Sequence, residues 1–292
     1  TTHNMAIEHI ENSFLKVAVN TIGAELTSLF NKATEAEMLW QADANVWGRH
    51  APVLFPFVGR LKDGVYHYEG KTYEMGQHGF ARNMPFETVF KSPTRLEFLL
   101  TSNEVSKQHY PFDFELRLTY ELQENKLIQS YQVVNVGEKP MWFSIGAHPG
   151  FNLEGAFSDY RIVFGAPEPA LMRTTLQEGL LNTPELVTLQ NDCELPLHHD
   201  LFAKDALVFE YLNSEAITIK RLDENVLTMH FSGFPFFGIW TQSTVRANFV
   251  CLEPWCGIAD TVTASGILQE KKGIMSLAAA EQKSFQFDIE VH

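Results

Sequence analysis

Cysteine is scarce in this chain: among 292 residues there are only Cys193, Cys251 and Cys256. An odd number with no C-x-x-C pair argues against a disulfide framework and against a structural zinc site. Positive charge is scarce as well. Lys and Arg total 22 against 36 Asp and Glu, a formal charge of −14, and such a field repels a phosphate backbone or an anionic lipid surface. Neither nucleic acid nor membrane is an expected partner. No run approaches the roughly 20 apolar residues that span a bilayer. The opening Thr1-Thr-His-Asn4 shows no basic region followed by an apolar one, so a soluble, cytoplasmic protein is expected. Low-complexity segments, linkers and fixed-period repeats are missing too, which leaves residues 1–292 as a single domain.

What is present is β-structure. Apolar and polar residues alternate over short segments bounded by turn residues, beginning with a hairpin over 7–19 that turns at Asn12-Ser13. Further strands are expected at 22–30, 38–40, 65–68, 71–73, 86–90, 95–101, 112–122, 127–135 and 141–147. A later group follows at 160–164, 206–211, 216–220, 226–231, 236–240, 249–252 and 284–290. One short helix is expected at 102–108, and the polar stretch 176–200 reads as exposed loop. The even spacing predicts an all-β sandwich or barrel of mostly antiparallel strands.

Two strands carry ionisable groups toward one rim. In Met141-Trp-Phe-Ser-Ile-Gly-Ala-His-Pro-Gly-Phe151, the period of two puts Trp142, Ser144, Gly146 and His148 on a face opposite Met141, Phe143, Ile145 and Ala147. Pro149 and Gly150 are expected to stop the pairing, leaving His148 at a strand end. Read alone, His148 fits a rim histidine bonded to a backbone carbonyl as well as a functional one. In Phe249-Val-Cys-Leu-Glu253, the carboxylate follows four apolar residues, and Pro254 is expected to close the strand. A buried glutamate must be protonated or paired. Glu253 is therefore either a general base with a raised pKa or half of a structural ion pair with an arginine. Arg60, Gln77, His78, Arg82 and Asp205, at loop or strand ends, are the polar groups that can converge on the same rim, and Trp240 can stack on a ring.

The segments Gln77-His-Gly-Phe-Ala-Arg82, Gly146-Ala-His-Pro-Gly-Phe151 and Cys251-Leu-Glu-Pro-Trp255 resemble, in this order, the aldose 1-epimerases or galactose mutarotases. The LacX-like and hexose-6-phosphate 1-epimerase-like branch is the nearest in appearance, and the likeness takes in Phe55-Pro-Phe-Val-Gly-Arg60 and Tyr110-Pro-Phe-Asp-Phe114. The resemblance implies a galactose-mutarotase-like β-supersandwich that interconverts α and β anomers of a hexose or hexose phosphate, with no metal or cofactor. It implies that Glu253 takes the C1 hydroxyl proton while His148 protonates the ring oxygen. His78 would bond the sugar near that oxygen, and Arg60, Gln77, Arg82 and Asp205 would hold hydroxyls or a phosphate. Arg82, generally missing from classical galactose mutarotases, would form a phosphate clamp with Arg60 or else pair with an acidic neighbour. Free sugar and sugar phosphate both remain open, as do monomer and homodimer. The competing readings are a sugar-binding or sensing protein without turnover, and a glycoside hydrolase or lyase using Asp205 as a second carboxylate.

Overall fold

The computed structural model describes residues 5–292; Thr1 to Asn4, the segment that bears on a secretory leader, lies outside the described residues. Every strand ladder is antiparallel, so adjacent strands need only short connections. Ile7–Glu11, Leu15–Asn20, Glu25–Asn31 and Ala36–Glu37 form a four-stranded sheet in chain order, with the expected turn at Asn12, whose side chain accepts from the Phe14 and Leu15 amides. A nine-stranded sheet runs from Glu194–Pro196 to Glu87–Lys91. Its central ladder pairs Phe114–Gln123 with Lys126–Asn135, and Lys126–Asn135 with Gln282–Val291. Strict alternation of buried and part-exposed residues in Lys126–Asn135 shows one face on the core and the other toward water.

The sheet that positions the site is different. Its seven strands centre on Phe249–Cys256, in which all eight residues are buried. Phe236–Trp240 pairs with one edge of this strand, and Ile145–Gly146 and Gly150–Asn152 share the other. Val250, Leu252 and Cys256 point into the main core, while Trp255 joins a smaller cluster with Leu54, Val58 and Val208. Among the described residues, no helix is long and apolar enough to cross a membrane.

Three expectations need correction. Pairing does not stop at Pro149-Gly150, because Gly150–Asn152 rejoins Phe249–Cys256 after a break at 147–149. Nor does Pro254 close its strand. The Pro254 carbonyl accepts from the Ala147 amide, so the missing proline N–H falls on the side of that break, where the ladder is interrupted in any case. The stretch 176–200 is not all loop: Met172–Gln177 and Leu180–Leu186 form a hairpin through Glu178-Gly179, both at positive φ.

Candidate functional site

A cavity of about 280 Å³ opens beside the buried strand, walled by Trp47, Trp240 and Trp255 and by the hairpin residues Leu176, Gly179 and Leu181. His148 and Glu253 lie in its wall. The break after Gly146 leaves His148 between two short paired segments, and the strand period puts Glu253 on the face of Cys251 and Trp255. His148 Nε2 stands 3.2 Å from Glu253 Oε1, with both side chains almost fully buried. Among the described residues the imidazole Nδ1 completes no well-aligned hydrogen bond, and Glu253 faces an imidazole instead of an arginine.

Burial drives the two groups in opposite directions. It raises the Glu253 pKa well above the ordinary carboxylate range, with the charge of Asp205 adding to the rise. The indole N–H of Trp255 acts the other way, although it completes no well-aligned hydrogen bond. Burial also lowers His148, to about 3, and Arg82 contributes. Each change favours the neutral form. The two groups face each other across this 3.2 Å contact.

His78 adopts φ +67, and its ring is fixed by its own backbone neighbours. Gly59 N–H donates to His78 Nδ1 over 2.9 Å, while the His78 amide donates to the Gly59 carbonyl. Nδ1 is thus an acceptor, and the proton sits on Nε2. Burial, His148 and Arg82 together hold its pKa well below the usual histidine range, which keeps this tautomer neutral. Gly79, next in sequence, admits no side chain: a Cβ there would stand 2.3 Å from the Phe55 carbonyl oxygen.

Seven of the eight residues singled out for the rim line the cavity: Gln77, His78, Arg82, His148, Asp205, Trp240 and Glu253. Arg60 does not. Its guanidinium lies outside and donates from Nη1 to the Glu178 carbonyl at 2.8 Å, and its stem packs against Gly179. Arg82 is half-buried and donates to the Gln77 carbonyl, and among the described residues no acidic side chain is bonded to it. Ser144 and Gly146, placed by the period of two on the face of His148, serve packing. Ser144 fills the space where a Cβ of Gly257 would sit, and a Cβ at Gly146 would meet Trp255 Cδ1 at 2.6 Å.

Sequence reasoning passed over Trp47, Gln242 and the hairpin wall. Trp47 lies 4.9 Å from the His148 ring between centroids and stacks on Phe249. Gln242 donates to the Val46 carbonyl and so fixes the segment that carries Trp47. Trp255 was within reach of the period-two argument, two residues after Glu253, once the strand is allowed to pass Pro254.

The antiparallel sheets form a galactose-mutarotase-like β-supersandwich whose cavity sets a buried carboxylate against a buried imidazole. Residues 6–287 match the aldose 1-epimerase family, and the chain belongs to it. It is 31% identical to the chromosomal LacX protein of Lactococcus lactis subsp. lactis over 98% of this chain and 99% of that one. A solved galactose mutarotase related enzyme of Lactobacillus acidophilus superposes with a TM-score of 0.94 at 38% identity, covering 98% of this chain and 97% of that chain. A galactose mutarotase-like protein of Lactobacillus casei gives the same TM-score at 32% identity, over 98% and 100%.

Proposed function

We propose that the cavity is the catalytic centre of an aldose 1-epimerase acting on an unphosphorylated aldose. The observation that carries this reading is the buried His148–Glu253 contact in the cavity wall. Moving a proton from the carboxyl form of Glu253, which burial favours, to His148 creates a carboxylate and an imidazolium without any exchange with solvent. Glu253 then takes the proton of the C1 hydroxyl as His148 delivers one to the ring oxygen, and the C1–O bond to the ring opens. Rotation about C1–C2 and the reverse transfers close the other anomer. The neutral His78 offers Nε2–H to a sugar oxygen, Asp205 and Gln77 accept from hydroxyls, and the three tryptophans cover the apolar edges of the ring.

The electrostatics favour a neutral sugar. Among the described residues, Arg82 is the one Lys or Arg side chain in the lining and gives one of its N–H groups to the Gln77 carbonyl, while Asp205 adds an acidic side chain to the same wall. A phosphate would meet a single guanidinium beside the acidic side chain of Asp205, because Arg60 is engaged elsewhere. One domain over residues 1–292 fits this reading, since the main core cluster draws on residues from Ile10 to Val291.

Polarimetry on freshly dissolved α-glucose, α-galactose and their 6-phosphates tests the proposal. Wild-type protein is expected to speed mutarotation of at least one free sugar more than that of its phosphate. A spontaneous rate for all four would refute the enzyme reading, and preference for the phosphates would refute the substrate assignment alone.

A further inference from the structure

Cys251 lies directly beneath the acid–base pair and has no role in the ring opening. It precedes Glu253 by two residues on the same face of the buried strand. Its cross-strand neighbours are Trp240 on one side and Gly150 on the other. Gly150 puts no side chain against the buried thiol: a Cβ there would stand 3.4 Å from the sulfur and would also collide with Trp47. One imidazole nitrogen of His148, the Cys251 sulfur and one Glu253 oxygen lie mutually within 4.8 Å, and all three residues are buried.

We propose that His148, Cys251 and Glu253 form a binding site for a soft divalent cation of the Zn²⁺ type, whose occupancy blocks the catalytic pair. Nitrogen, thiolate and carboxylate are the donors such an ion takes, at about 2.0–2.3 Å, so they end up roughly 3.3–3.7 Å apart around a tetrahedral centre. The His148–Glu253 separation of 3.2 Å is already close to that spacing. Charge supports the same ligand set. A dication with one thiolate, one carboxylate and a neutral imidazole is neutral overall, which a buried site tolerates where an unpaired charge is costly. On binding, the thiol and the His148–Glu253 pair release their two protons to solvent, and the ion takes their place. His148 and Glu253 border the cavity, so the fourth position opens there for a water or a sugar hydroxyl. The blocking of turnover rests on the epimerase reading; the site itself does not.

Titrating the full chain with Co²⁺, followed by absorption in the absence of sugar, tests the site without reference to activity. The expected result is a saturable, equimolar near-ultraviolet thiolate-to-cobalt band with the visible bands of four-coordinate cobalt, all displaced by Zn²⁺. Cys251→Ser should abolish the thiolate band. Glu253→Gln, which keeps the thiol, should weaken Co²⁺ binding at least tenfold and decides the question alone if the serine variant does not fold. A wild-type chain without a saturable band, a band that survives Cys251→Ser, or unchanged affinity in Glu253→Gln would each overturn the proposal. Zn²⁺ that binds by these criteria yet leaves mutarotation untouched would overturn the blocking role.

Discussion

At the scale of single residues, burial favours the neutral forms of Glu253 and the two histidines, and it fixes the sign of their pH dependence. His78 and His148 have folded-state pKa values below the ordinary 6.5. The unfolded chain therefore binds more protons than the folded one below about pH 6.5. Stability is full above that value and is lost as pH falls toward the folded values, by at most about 1.4 kcal/mol per pH unit for each ring. Urea unfolding at pH 7 and pH 5 should show this loss, and His148→Asn should remove one proton's share of the slope. Glu253 behaves in the opposite sense, because its folded pKa is raised. Its contribution is full below the unfolded carboxylate value and is lost as pH rises through the folded one. Glu253→Gln should therefore melt higher than wild type at pH 8, with the difference closing near pH 4. Glu253 was legible in the sequence because four apolar residues precede it and parity sets its face. Arg60 was not, because its direction depends on the Glu178 carbonyl, 118 positions away.

At the scale of elements, the wall of the cavity is a matter of which residues lack side chains. The Trp255 indole lies between Gly146 and Gly238, on strands either side of its own; a Cβ at Gly238 would stand 2.5 Å from Trp255 Cζ2. Gly238→Ala should cost about 1–3 kcal/mol by overpacking and push the indole into the cavity, raising KM more than it lowers kcat. Thermal unfolding and steady-state kinetics on one preparation would separate the two effects. The hairpin over 172–186 turns on a Glu-Gly pair, as does the one that joins Val65–Tyr68 to Lys71–Glu74 through Glu69-Gly70, with positive φ at both residues in each case. It escaped the sequence reading because its second strand is exposed over most of its length, so no alternation marks it. The interrupted pairing at 147–149 was equally hidden: a proline in each facing segment suggests two strand ends, whereas the chains pair again beyond both.

At the scale of the whole molecule, a buried ion pair joins the loops around the cavity. Lys271 Nζ meets Asp260 Oδ1 at 2.8 Å, and Asp260 Oδ2 accepts from the Lys62 amide. The Asp260 backbone adds bonds to Arg60 and Leu181, so one residue links the Arg60 loop, the hairpin and the segment after the buried strand. Lys271→Ala should cost about 3–5 kcal/mol in chemical denaturation, because it leaves a buried carboxylate without its counter-charge. Lys271→Ala with Asp260→Asn should lose less than the two single losses combined. The all-β class and the convergence of three distant motifs were readable from strand periodicity and from family resemblance. The loops that give the cavity its depth were not, since their paths are set by such long-range bonds.

The claim at the centre of this account is that Glu253 and His148 together open the sugar ring. Exchange spectroscopy by NMR on an equilibrated aldose measures it most directly, because it reads the interconversion of anomers without a net reaction. Wild-type protein is expected to produce exchange well above the spontaneous rate, and Glu253→Gln and His148→Asn, each still folded, should lower it by roughly 10²–10⁴-fold. Exchange that persists at the wild-type rate in both variants would contradict the account.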